Sequence, residues 1–339
     1  MQERARVYTG RLFPRRPPSI LPTVSQTPPR QGGRLFFEED LGTLRRERFR
    51  PHAIVAYLRA AGVRIRRDLD ANPGAVRSVW IAALGFFAVT FLIAVALAVA
   101  YDRALAYSFF RNTALWILPT FALVSLNIGM LRDRNDYRMS ALNLPIVLSL
   151  LRVVLIPGIA LSLTRGHLML ALVAYLVAAL SDVADGWVAR RWKQETRLGT
   201  VLDPFVDIVF GFTVFIAFAA AGLLPLWVTL AAALRFGILL VGGAYLLLCV
   251  GPLQIRPTWF GKLTGVVTSA LTGLLVLLHA TRGGVSDALI PLTESALGVL
   301  MSGTVVYVIV LGLVNLRRMT GRVTETPGRV VGDVRWGAQ

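Results

Sequence analysis

Two pairs of aspartates, Asp182 with Asp185 and Asp203 with Asp207, lie in or beside apolar stretches of this chain. A carboxylate at the centre of a membrane helix costs roughly 2.5–3.5 kcal/mol, so four without compensation would cost on the order of 10 kcal/mol. A bound cation removes most of that cost. Residues three apart on a helix sit about 60° from one another around the axis and residues four apart about 40°, so each pair shares a face. The connection from Arg191 to Leu198 is short, which predicts antiparallel neighbouring helices with both pairs at one depth. Facing pairs make an oxygen-rich cage. All-carboxylate ligation suits Mg2+ or Mn2+, hard cations that leave coordination positions open for substrate phosphates. The competing reading is structural, with the aspartates paired to Arg152, Arg190 or Arg235.

The residues around the aspartates are informative too. Gly186, Ala189 and Gly199 are small where a ligand would have to approach the backbone closely. Arg235 stands inside an apolar stretch, where an unpaired cation is costly. Lys262 is one of only two lysines, the other being Lys193, and follows Gly261 at a helix start. Arg235 and Lys262 are therefore candidates for phosphate of a donor or acceptor. The plainer alternatives are snorkelling or a helix-helix hydrogen bond for Arg235 and a positive flank for Lys262.

Helices must position these groups, and composition supplies them. The chain has 339 residues, 55% of them apolar, with a mean hydropathy of +0.62. That is the composition of a polytopic membrane protein. Apolar stretches near the ~20 residues that span a bilayer recur over about 78–100, 107–131, 146–164, 168–190, 200–222, 225–250, 263–281 and 288–315. Eight spans are expected. Arg132, Arg134 and Arg138, then Arg190, Arg191, Lys193 and Arg197, then Arg256 and Lys262, and finally Arg317, Arg318 and Arg322 gather on one side. The positive-inside rule makes that side cytoplasmic, together with both termini and the aspartate end of the bundle. The segment 142–157, with proline near both ends, is expected to start along the inner surface before turning into the membrane.

Ahead of the spans, residues 1 to about 45 are rich in Arg, Pro and Gly and are expected to form a flexible arm without a secretory signal core. From about 51 to 69, Ile54, Val55, Leu58, Val63 and Ile65 alternate with Arg59, Arg64, Arg66 and Arg67, as in a helix lying on a membrane surface or a small soluble helical element. The 36 Lys plus Arg against 19 Asp plus Glu favour anionic lipid headgroups. No nucleic-acid-binding motif accompanies that charge, so no nucleic-acid partner is expected. Cys249, the single cysteine, reads as packing, and His52, His167 and His279 have no ligand-like spacing. Trp80, Trp187 and Trp227 read as interfacial anchors and Trp116 as packing.

Taken together, the motif is Asp182, two residues, Asp185, Gly186, two residues, Ala189, Arg190, eight residues, Gly199, three residues, Asp203, three residues, Asp207. Over roughly residues 142–316 the chain resembles the CDP-alcohol phosphotransferase (phosphatidyltransferase) family. The resemblance implies a six-helix membrane core that moves a phosphatidyl group from a CDP-linked lipid to an alcohol and releases CMP. It further implies a homodimer with two divalent metals per site. Asp182, Asp185 and Asp203 would hold metal, with Asp207 shared between metal and activation of the alcohol, so that Asp203 and Asp207 are the catalytic pair. Gly186, Ala189, Arg190 and Gly199 match positions that line the nucleotide site in the family, and Ser149 stands where members often have Thr. Asn143, Pro145 and Arg152 fit the pattern at the start of the first core helix, and Gly261 with Lys262 resembles the family's Gly-Lys. Ile146 replaces a frequent Asn, and Ile208 follows the last aspartate where many relatives have Lys.

The expected architecture is therefore all-α and integral to the membrane. It comprises a basic arm with a juxtamembrane helix over 1–77, two additional spans over 78–131, the core over 142–316 and a basic tail over 317–339. The expected activity is Mg2+- or Mn2+-dependent phosphatidyl transfer in phospholipid synthesis at the cell inner or plasma membrane, with the site facing the cytoplasm. CDP-diacylglycerol is the leading donor and glycerol 3-phosphate the leading acceptor, with Arg152, Arg235 and Lys262 as phosphate or acceptor candidates. Inositol phosphate, serine, another phosphatidyl lipid, or an exchange of roles between a soluble CDP-alcohol and a lipid acceptor are the variants within that class. Outside it stand a cation transporter using the aspartates and a catalytically silent scaffold.

Overall fold

A computed structural model describes residues 38–245 and 259–323. The expectations for the basic arm before residue 38, for Cys249, for Arg256 and for the tail beyond 323 lie outside the described residues. The fold is 85% helical, with no strand among the described residues. Its helices are α1 (Glu38–Arg46), α2 (Pro51–Ala71), α3 (Pro73–Ala100), α4 (Arg103–Leu126), α5 (Leu144–Thr164), α6 (Leu168–Arg191), α7 (Arg197–Ala220), α8 (Leu226–Tyr245), α9 (Trp259–Ala280) and α10 (Val285–Val323). Eight of them, α3 to α10, are long and apolar enough to cross a membrane, matching the eight stretches expected from hydropathy. The protein is an integral membrane protein.

Local sequence sets the helix boundaries. Asn72 ends α2 and caps α3, its Oδ1 accepting the Ala75 N–H at 3.2 Å, and Pro73 follows at a position that needs no N–H. Asp102 caps α4 by accepting from Leu105 N at 2.7 Å, and Thr196 caps α7 by accepting from Gly199 N at 3.0 Å.

The helices α5 to α10 form one bundle in which α5 packs on α6 and α7, α9 on α6, and α10 on α8 and α9. Ile159, Tyr175, Phe218, Val228, Leu275 and Met301, one from each helix, belong to its shared core. The most enclosed helix is α5, with 61% of its apolar stretch buried against 22–39% for the others. It runs unbroken from Leu144 to Thr164 rather than splitting into a surface piece and a membrane piece. Pro145 occupies the first turn, where its missing N–H costs nothing. Pro157, inside the helix, leaves the Val153 carbonyl without its i+4 donor, and Trp116 Nε1 of α4 donates to that oxygen at 3.0 Å.

The two preceding spans therefore do more than add lipid-facing surface. Val79 of α3 and Ile117 and Phe121 of α4 share a buried apolar cluster with Ile146, Leu150 and Val154 of α5. Phe109 of α4 lies so close to α5 that a Cβ at Gly158 would come within 2.8 Å of its ring.

Between α4 and α5 the chain makes a short 3₁₀ turn, Ile128–Met130, and then an irregular loop. Asp133 shapes that loop by accepting from the N–H groups of Asn135 at 2.8 Å and Tyr137 at 2.9 Å. The loop pairs with the connection joining α6 to α7. Asp133 bridges to Thr196, Arg197 N donates to the Arg132 carbonyl at 3.1 Å, and Arg134 pairs with Glu195. On its other side, Arg138 pairs with the buried Asp68 of α2 at 3.2 Å, and Asn72 Nδ2 donates to the Met139 carbonyl at 2.8 Å. A single loop thus ties the helices α2 and α3 to the connection between the aspartate-bearing helices.

Candidate active site

The aspartates come together where α6 ends and α7 begins, joined by the five residues Trp192 to Thr196. That tight return is built from local groups. Trp192 N donates to the Val188 carbonyl and Gln194 N to the Ala189 carbonyl, at 2.9 and 3.0 Å. Lys193 between them takes a left-handed φ of 52°. Asn143, just before α5, holds the return from outside by donating through Nδ2 to the Gln194 carbonyl at 2.5 Å.

Helix α5 then organises all four carboxylates. Arg152 places Nη1 2.7 Å from Asp182 Oδ1 and against Asp207 Oδ1, and Nη2 2.7 Å from Asp185 Oδ2. Ser149, one turn earlier on the same face, lies 3.0 Å from Asp185 Oδ2 and 2.9 Å from Asp203 Oδ1. Its one proton serves one of these at a time. Arg152, Ser149 and Asp185 are buried, Asp203 is half-buried, and Asp182 and Asp207 are exposed to the site. The pairing expected as the structural alternative is present, with Arg152 as the partner of three of the four aspartates; Arg190 and Arg235 pair with none of them.

A cavity of about 280 Å³ adjoins this cluster, its lining including Arg152, Asp182, Asp207, Ile208, Arg235 and Thr268. Arg235 differs sharply from Arg152. Among the described residues its Nη1 has only the Thr268 hydroxyl at 3.4 Å and the Met301 sulfur at 3.5 Å, its guanidinium stacks 5.3 Å from the Phe236 ring centre, and its Nε is buried without a partner. Among the described residues no carboxylate neutralises it. The cavity therefore joins an acidic cluster to a cation that has no carboxylate partner among the described residues.

Of the other candidates, Gly186 lies against the Arg190 side chain, where an added Cβ would meet the guanidinium at 3.2 Å. Ala189 is half-buried and Arg190 exposed on the outer turn of α6. Gly199 lies over the capping Thr196 hydroxyl at the start of α7. Lys262 is exposed in the first turn of α9 and stands off the cavity lining. The sequence offered Arg152 as one of three possible partners of the aspartates, whereas the link from Ser149 to them was not read from it; the i, i+3 spacing of the two residues on one helix was the available signal.

Four carboxylates in one place are the hard oxygen donors that suit Mg2+ or Mn2+. No three acidic, histidine or cysteine side chains among the described residues are spaced as ligands of one ion as they stand. The Arg152 guanidinium lies among them instead.

Residues 142–316 match the model of the CDP-alcohol phosphatidyltransferase family. A putative cardiolipin synthase of Mycobacterium tuberculosis is 38% identical over 122 residues, which cover 36% of this chain and 58% of that protein. A CDP-diacylglycerol--glycerol-3-phosphate 3-phosphatidyltransferase of Yersinia pestis is 41% identical over 95 residues, covering 27% of this chain and 52% of that protein. The chain thus spans somewhat more than half the length of these curated relatives.

Proposed function

This chain belongs to the CDP-alcohol phosphatidyltransferase family, and from that premise we propose that it transfers a phosphatidyl group from CDP-diacylglycerol to a small alcohol and releases CMP. The observation that carries the reading is the convergence of Asp182, Asp185, Asp203 and Asp207 on one cluster around Arg152 and Ser149, which opens through Asp182 and Asp207 onto a cavity also lined by Arg235, a cation that no carboxylate neutralises among the described residues. Glycerol 3-phosphate is the leading acceptor, in keeping with the name of the Yersinia pestis relative.

In this reading Asp182, Asp185 and Asp203 hold two Mg2+ or Mn2+ ions, with Asp207 completing the set. When bound, such ions neutralise charge on the pyrophosphate and on departing CMP. Asp207, exposed on the cavity wall, faces the acceptor hydroxyl and takes its proton. A carboxylate is a far weaker base than an alkoxide, so that transfer comes late, as the new oxygen–phosphorus bond forms. The phosphorus–oxygen bond to CMP breaks, and CMP leaves with the bonding electrons. Arg235 orients the acceptor through its anionic group, a role an unpaired guanidinium fills well. Gly186, Ala189 and Gly199 leave room for the nucleotide, with Arg190 at its edge. The site faces the cytoplasm and the enzyme works as a homodimer, in keeping with the placement of basic connections and with the family.

The test is CMP release by the purified protein from CDP-diacylglycerol with Mg2+ or Mn2+. The acceptor panel comprises glycerol 3-phosphate, inositol phosphate, serine and phosphatidylglycerol. Release that needs both an acceptor and the metal is the expected result, and the most active acceptor names the product. No release with any member of the panel overturns the reading.

A further inference from the structure

Three motif carboxylates converge on a side chain that the protein itself carries. The Arg152 guanidinium contacts Asp182, Asp185 and Asp207, and its Nε is buried without a partner, so among the described residues these carboxylates hold it. Ser149 of the same helix brings in Asp203. We propose that Arg152 is a tethered counter-cation: it holds the aspartates together when no divalent ion is bound, and it competes with such an ion for Asp182 and Asp207. The inference rests on the metal-dependent reading above.

Burial divides the contacts into a fixed and an exchangeable part. The Arg152 and Asp185 side chains are 4% and 8% exposed, which makes their bond an enclosed anchor. Asp182 and Asp207 are 54% and 59% exposed, so both can turn from the guanidinium to an ion entering from the cavity. A divalent ion drawing on those oxygens meets a like charge at close range, where repulsion is weakly screened. Four carboxylates and one guanidinium leave the cluster at a formal charge of −3. Removing the guanidinium deepens that charge and frees the oxygens, so metal binding strengthens while the metal-free cage loses its internal tie.

A phosphate-binding Arg152 would behave differently, because its removal would weaken substrate binding and leave the metal alone. The deciding experiment titrates Mn2+ into the purified full-length protein in nanodiscs, without substrate, and reads free Mn2+ by electron paramagnetic resonance. Arg152→Gln is expected to bind Mn2+ about tenfold more tightly than the wild type, equivalent to ~1.4 kcal/mol. Its thermal midpoint in chelator should fall, and Mn2+ should raise that midpoint more than in the wild type. Arg152→Lys keeps the charge without the planar fork and should bind roughly threefold more tightly.

Unchanged or weaker Mn2+ affinity in Arg152→Gln overturns the proposal while leaving the metal reading intact. A wild type that binds no Mn2+ overturns both. If Arg152→Gln yields no folded protein, Arg152→Lys decides, and affinity at or below that of the wild type is the overturning result.

Discussion

Two arginines face the same cavity under opposite conditions, and the difference directs what their removal should do. Arg152 is bound by three carboxylates, whereas Arg235 has a hydroxyl, a sulfur and a ring face. In steady-state kinetics, Arg235→Gln should lower kcat/KM for an anionic acceptor about 10- to 100-fold, the scale of ~1.5–3 kcal/mol for a hydrogen bond to a charged group. The loss should fall mainly on the acceptor KM, with the KM for the CDP-lipid nearly unchanged. Asp203 touches Ser149 and stands clear of Arg152. Asp203→Asn should therefore insert and fold normally, by membrane fractionation and circular dichroism, while transfer falls about 10²-fold or more, as when a preorganised electrostatic group is lost. Retained turnover would contradict its metal role. The aspartates were legible as a set because carboxylates in an apolar stretch need a reason and their spacing puts them on shared faces. Which arginine would meet them was not legible, since Arg152, Arg190 and Arg235 all offered the charge and only the packing of α5 between α6 and α7 brings Arg152 to them.

At the scale of elements, α5 shows how a helix outside the aspartate motif can position it. Its burial places Ser149 and Arg152 between two helices, and its own irregularity at Pro157 is satisfied by α4. Trp116→Phe keeps an aromatic ring there and removes the donor to the Val153 carbonyl. An unsatisfied buried carbonyl costs ~1–3 kcal/mol, so the thermal midpoint in detergent should drop by several degrees. Trp80→Phe, at an exposed position of α3, should leave it unchanged. The caps at Asn72, Asp102 and Thr196 follow local rules readable from the chain. Trp116 could not be read that way, because its partner is 37 residues distant and is created by a proline in another helix.

In the whole molecule, the segment ahead of the family core braces the site rather than lying beside it. The loop after α4 reaches the return between α6 and α7 through Arg132, Asp133 and Arg134, and reaches back to Asp68 and Asn72. Exposed parts of this brace should contribute little. Arg134 is 71% exposed in its pair with Glu195, and Arg134→Ala should change the transfer rate by less than about twofold, in keeping with ~0–1 kcal/mol for surface ion pairs. Asp133→Ala removes the acceptor of two loop N–H groups and should lower the thermal midpoint measurably more than Arg134→Ala. A larger effect from Arg134→Ala would place the brace in the ion pair instead of the backbone.

The sequence by itself determined the eight spans, their approximate limits, the all-α class and the motif of four aspartates. Those features depend on hydropathy summed over about 20 residues and on fixed helical spacing, both properties of short continuous stretches. The tertiary structure decided that Arg152 shares the cage, that Arg235 faces the cavity with no carboxylate partner among the described residues, and that α4 completes α5. Within lipid, apolar helix faces gain little from meeting one another rather than acyl chains, so hydropathy says little about which helices become neighbours. Polar partners and close packing make that choice, and they join residues distant in the chain.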